Sequence, residues 1–167
     1  MRRPRSNLTA MARLIYSGIT SLDGFINDAA GTFDWSAPDE EVHAAVNDAE
    51  REIGTYLLGR RMYEVLAVWD TFGTEPDAPE VIRDYGEIWR AADKVVYSTT
   101  LGAVSAPRTR VEHTFDPRAI SALKASAARN VSIGGPTLAR AAIAAGLVDE
   151  WNPVSYTHLT LPTKRIV

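Results

Sequence analysis

Short apolar runs and longer amphipathic stretches take turns along this chain. Leu14–Thr20 (LIYSGIT) is rich in β-forming residues and predicts a first strand. A stretch from Pro38 to Ile53 follows, with Val42, Ala45, Val46, Ala49 and Ile53 recurring at helical spacing; it predicts a helix with that stripe inward. Thr55–Leu58 reads as a second buried strand, and Gly59-Arg60-Arg61-Met62-Tyr63-Glu64 as a turn into another helix. Beyond a Gly- and Pro-punctuated loop at Asp70–Pro79, Glu80–Ala92 predicts a helix with Val81, Ile82, Tyr85, Ile88, Trp89 and Ala92 inward. Lys94–Tyr97 is a third strand and Thr109–His113 a short edge strand. Asp116 and Pro117 cap and open a helix that runs to about Ala128 with Ile120, Leu123 and Ala127 inward.

The last unit is Asn130–Trp151. Val131–Ile133 is a strand, Gly134-Gly135 a turn, and Pro136 opens a helix whose stripe is Leu138, Ala141, Ala142 and Ala145; Gly146 stops it. Strand and helix thus alternate repeatedly, which predicts a layered α/β domain around a mostly parallel sheet.

Three strand ends carry candidate chemistry, because ligands of open α/β sheets collect at the carboxyl edge. At Gly134-Gly135-Pro136, strand, glycines and helix N-terminus leave backbone amides and a positive dipole end facing an anion. The same residues also serve a turn that simply needs glycine. At Gly59-Arg60-Arg61, two arginines can grip phosphate bidentately or can be ordinary solvated side chains. At Ser98-Thr99-Thr100, the hydroxyls can bond a ribose or phosphate, or cap their own turn. Together they suggest a cradle for an extended, multiply phosphorylated ligand.

Other residues read more simply. Asp23 lies in a turn, where an acid is a local cap or a catalyst. Asp39, Glu40 and Glu41 crowd a helix start, where the dipole favours acids, and Ser36 and Asp39 have capping-box spacing. His43 is a surface or boundary histidine with no second ligand at metal spacing, and no metal is expected.

Composition narrows the class. A chain of 167 residues fits one domain with a sizeable core. A net charge of -3 gives no bulk attraction to nucleic acid or an anionic membrane. No apolar run approaches the ~20 residues of a membrane span. Cysteine is absent, which removes thiol chemistry and fits a cytoplasmic protein. Residues 1–12, opening with Arg2-Arg3-Pro4-Arg5, read as a basic disordered arm.

Four segments resemble a known family in order and separation. Ser21–Ile26 (SLDGFI), Gly59–Glu64 (GRRMYE), Val95–Leu101 (VVYSTTL) and Ile133–Leu138 (IGGPTL) are similar to motifs of the dihydrofolate reductase-like family, which includes the reductase domain of riboflavin biosynthesis. The resemblance implies a dihydrofolate reductase-like layered fold over residues 13–153. It implies NADPH as cofactor and hydride transfer to a small heterocycle, pterin- or pyrimidine-like. Carried over residue by residue, it places Gly59, Arg60, Arg61 and Met62 in the first nucleotide turn. Ser98, Thr99, Thr100 and Leu101 fall in the second, and Ile133, Gly134, Gly135, Pro136, Thr137 and Leu138 in the third, at the pyrophosphate. Ile19 and Ile26 lie near the nicotinamide, and Asp23, Glu40 or Asp39 supplies the acid. Met62 stands where folate reductases often have Thr, and Pro136 where many have another Gly; each removes a donor. A homodimer is an expectation of the family alone.

Two alternatives accompany this reading. One is a nucleotide-binding module without catalysis. The other is the riboflavin-pathway 5-amino-6-(5-phosphoribosylamino)uracil reductase, which needs a basic pocket for substrate phosphate; Arg83, Arg90 and Arg140 are its candidates. Residues 154–167 (VSYTHLTLPTKRIV) do not continue the family pattern and resemble translated sequencing-adapter read-through. They are expected to be a non-native tail, with the terminal strands of the sheet missing.

Overall fold

The computed structural model describes residues 11–21, 25–27, 29–32, 38–102 and 104–155. Among these residues six strands form a single sheet: β1 (Leu14–Thr20), β2 (Ile53–Gly59), β3 (Asp93–Tyr97), β4 (Thr109–Glu112), β5 (Asn130–Gly134) and β6 (Glu150–Ser155). Their spatial order is β4-β3-β2-β5-β1-β6, and every neighbouring pair is parallel. Five α-helices connect them: α1 (Glu40–Glu50), α2 (Arg60–Leu66), α3 (Glu80–Ala91), α4 (Pro117–Ser126) and α5 (Pro136–Ala144). A 3-10 turn at Ala67–Asp70 extends α2.

The helices cover both faces, so the central strands bury both of theirs. On one face Ile15, Tyr56, Leu58 and Val96 pack with Tyr85 and Trp89 of α3. On the other, Leu14, Leu57, Val95, Val131 and Ile133 pack with Ile120 of α4 and Leu138 and Ala142 of α5. Alternation along β2 sends Leu57 to one core and Leu58 to the other.

Several boundaries differ from the sequence expectation. The first helix starts after Asp39, whose carboxylate accepts from Val42 N at 2.9 Å, and it ends at Glu50. Ile53 belongs to β2, because Gly54 lies inside that strand. Ala45 and Ala49 are exposed, and Asn47 is the buried residue of α1. Its Nδ2 donates to Val81 O (2.9 Å) and to Asp84 Oδ2 (2.7 Å), so a hydrogen-bonded amide holds α1 against α3; of the expected stripe Val46 packs on the core while Ala45 and Ala49 do not. In α5 Ala139 is buried, while Ala145, expected in the stripe, is the exposed C-cap; Gly146, at φ 65, follows it as the left-handed stop. Ala12, placed in the basic arm from sequence, is buried and donates to Lys124 O. β6 runs through Ser155, two residues into the expected tail; residues 1–10 and 156–167 lie outside the described residues.

The amino edge of the sheet is stitched by charged side chains. Lys94 is 1% exposed; its Nζ donates to Trp89 O (3.0 Å) and Ala92 O (3.1 Å), capping the end of α3. Lys124 pairs with Asp149 at 2.6 Å and donates to Leu147 O, while Asp149 accepts from Leu14 N at 2.7 Å. Arg13 pairs with Glu150 across β1 and β6, and its amide donates to Asn130 Oδ1.

Candidate functional site

The three strand ends singled out above belong to β3, β2 and β5, which are adjacent in the sheet. Register sets them side by side: Gly59 pairs with Tyr97, the residue before Ser98, and Leu58 pairs with Gly134. β1 lies next to β5, so its end at Ile19 and Thr20 continues the row.

Two helices begin at this edge without help from a side chain. Gly59 and Gly135 are the N-caps of α2 and α5; neither start has a side-chain cap or an acid in its first turn. By contrast, Asp39 caps α1 and Asp116 caps α4. The two glycine turns meet: a Cβ on Gly135 would lie 3.8 Å from Gly59 N. Gly135 has φ 93, a conformation that favours glycine. At Gly134 the need is for space, since a Cβ would approach Leu58 Cδ2 to 3.1 Å and Met62 Cγ to 3.2 Å. Met62 is therefore packing under the third turn.

The arginines differ. Arg60 Nε donates to Glu64 Oε1 at 2.7 Å, and its guanidinium also donates to Thr100 Oγ1 at 2.9 Å, joining the first turn to the second. Arg61 is exposed beside it. Ser98 Oγ accepts from Thr100 N (3.2 Å) and Leu101 N (2.9 Å), so this hydroxyl caps its own turn. Thr99 and Thr100 are exposed, and Leu101 is half-buried against the core. Ile133 and Leu138 are core side chains, and only their backbone is left to face a ligand. Pro136 and Thr137 are exposed at the start of α5.

The candidate substrate residues are more scattered. Asp23 lies outside the described residues. Asp39 is engaged as a helix cap, and Glu40 is exposed in the first turn of α1. His43 is half-buried with its ring 6.0 Å from that of Trp69 and 5.9 Å from that of Tyr85; burial lowers its pKa against the opposing pull of Asp84. Ile26 is half-buried. The basic substrate-phosphate pocket does not form from the residues proposed for it. Arg83 donates to Pro76 O and Ala78 O, and Arg90 to Trp69 O and Phe72 O, so both clamp the loop before α3. Arg140 is on α5, whose core residues lie on the opposite face of the sheet from those of α3. Among the described residues no cluster of three acids or histidines is placed to hold a metal ion, and no helix is long and apolar enough to cross a membrane.

A parallel α/β sheet layered in the dihydrofolate reductase-like manner, with three neighbouring turns along its carboxyl edge, defines the class of the protein. The family described as the RibD C-terminal domain matches residues 12–155, and the chain belongs to that family. Among solved structures, it resembles a protein of Shewanella sp. PV-4 named for riboflavin biosynthesis, with TM-score 0.60 and 20% identity over 85% of this chain and 77% of that one. It also resembles a pyrimidine reductase-like protein of Corynebacterium diphtheriae, with TM-score 0.54 and 14% identity over 90% and 77% of the two chains. At these identities the two structures speak for the fold. No curated protein matches the chain. Family and fold together support an oxidoreductase related to the reductases of riboflavin biosynthesis.

Proposed function

We propose that this protein is an NADPH-dependent reductase of a small heterocycle, of the pyrimidine kind for which its Corynebacterium diphtheriae neighbour is named. The observation that carries the reading is the meeting of two uncapped, acid-free helix starts at Gly59 and Gly135, beside an arginine pair and a hydroxyl turn. Backbone amides at a helix start attract anions, and φ 93 at Gly135 opens the backbone to close approach. The donor set therefore fits a dinucleotide. Gly134, Gly135 and Thr137 would hold its pyrophosphate, and Arg61 with Thr99 and Thr100 the adenosine 2′-phosphate. When bound, NADPH supplies the hydride. The protein's own part is to hold the two rings together and exclude water, with Ile19 and Ile26 near the nicotinamide and Asp23 or Glu40 as proton donor.

Arg61, exposed next to the engaged Arg60, is the residue assigned to telling NADPH from NADH. Fluorescence titration of wild type and Arg61→Ala with both nucleotides tests this. Loss of a charge-assisted hydrogen bond predicts that the variant binds NADPH about tenfold more weakly, with NADH affinity unchanged. Folded wild-type protein that binds neither nucleotide sinks the reading. Binding without turnover of pyrimidines or pterins would favour the nucleotide-binding module instead.

A further inference from the structure

The edge strand β4 does more than close the sheet. Its last residue, Glu112, and His113 just beyond it hold the second turn by both backbone groups of Ser98. Ser98 N donates to Glu112 O at 3.0 Å, and Ser98 O lies 2.7 Å from His113 Nδ1. A carbonyl only accepts, so Nδ1 carries the proton in this contact. With its amide and carbonyl fixed, Ser98 turns its hydroxyl back onto Thr100 N and Leu101 N, and Thr100 Oγ1 accepts from Arg60. An unbroken series of hydrogen bonds therefore runs from His113 through Ser98 and Thr100 to the first residue of α2.

The geometry points to His113 as a positioning residue that fixes the Ser98–Leu101 turn in its nucleotide-binding shape. This rests on the nucleotide reading above. Thr99 and Thr100 can meet a phosphate only if the turn that carries them keeps its place relative to Arg60 and Arg61. Glu112 contributes only a backbone carbonyl, so His113 is the side chain of β4's end on which that place depends. The imidazole is exposed and lines a cleft of about 370 Å³ with Gly102, Val104, Thr109, Arg110 and Val111. Its replacement leaves both hydrophobic cores intact, so variants here are expected to fold.

The test compares His113→Leu, which keeps bulk and loses the donor, with His113→Asn, whose amide nitrogen takes the place of Nδ1. Amide hydrogen exchange at Thr100 and Leu101 is measured in nucleotide-free protein. Affinities are measured for NADPH and for reduced nicotinamide mononucleotide, which lacks the adenosine half. His113→Leu is expected to speed exchange at both amides and to weaken NADPH about fivefold, the worth of one neutral hydrogen bond, with the mononucleotide unaffected. His113→Asn is expected to restore exchange and affinity together. The inference falls if His113→Leu exchanges and binds as wild type does, if His113→Asn is no better than His113→Leu, or if both nucleotides weaken alike. A wild type that binds neither nucleotide overturns the nucleotide reading, while the exchange data still decide whether His113 holds the turn.

Discussion

The two edges of the sheet use charge in opposite ways. At the amino edge Lys94, Lys124, Asp149, Arg13 and Glu150 all have partners, many of them backbone groups that would otherwise be orphaned at strand and helix ends. At the carboxyl edge α2 and α5 start on glycine with no side-chain cap, and Arg61 and Thr99 stand exposed. One edge is closed by side chains paired to backbone groups; the other starts two helices on glycine, with Arg60 and Ser98 tied to neighbouring turns and Arg61 exposed. On the nucleotide reading proposed above, a single parallel sheet keeps stability and binding at opposite ends of its strands.

Mutations that move stability and affinity independently sharpen this comparison. The largest stability loss is expected from Lys124→Met at the amino edge. It removes the ammonium from Asp149, which stays partly hydrated and bonded to Leu14 N, and the donor from Leu147 O, at a cost of about 2–3 kcal/mol, or roughly 4–12 °C in Tm by calorimetry. Nucleotide affinity below the transition should not change; a matching loss of affinity would break the separation of the edges. Next comes Gly135→Ala at the carboxyl edge. Forcing an L side chain to φ 93 costs about 2 kcal/mol, and NADPH affinity should fall by at least about tenfold as the turn relaxes. An alanine variant that binds normally would mean that the turn is there only to connect β5 to α5.

The smallest effect is the acid limb of stability. Burial pushes the Asp149 carboxyl up, but hydrogen bonds from Lys124 and Leu14 N, with the charges of Lys124 and Arg13, hold it below the ordinary carboxylate value. Its contribution is therefore present above the unfolded pKa and lost as pH falls through the lower folded one. Asp149→Asn should flatten the decline of Tm in that acid range and leave the profile at neutral pH parallel to wild type. An unchanged acid decline would place the titration elsewhere.

Much of the carboxyl edge was legible in the sequence because turns obey local rules. Gly135 needs its φ, Pro136 suits a first helical turn, and Asp116-Pro117 caps and opens a helix from adjacent positions. The alternation of strand and helix likewise announces a parallel sheet. What local pattern does not carry is which side chain a distant element will claim. Nothing around Lys94, Lys124 or Asn47 marks them as buried; each is drawn in by backbone groups or acids from another part of the chain. His113 was read as the end of an edge strand because Ser98, its partner, is 15 residues away. Arg83 and Arg90 read as candidate phosphate ligands because the loop carbonyls that hold them carry no mark in the side-chain pattern.

The place of β1 has a consequence for how the chain is born. Its partners are β5 and β6, and the bond from Arg13 to Asn130 spans 117 residues. At ~5–20 residues per second, β1 waits on the order of ten seconds after its synthesis for these neighbours. In that interval β2, β3 and β4 can already assemble, and β1 must enter as a late, long-range insertion between two strands made after it. Of the six described strands, the earliest made is therefore the one that joins the other five, and with it the row of turns along the carboxyl edge.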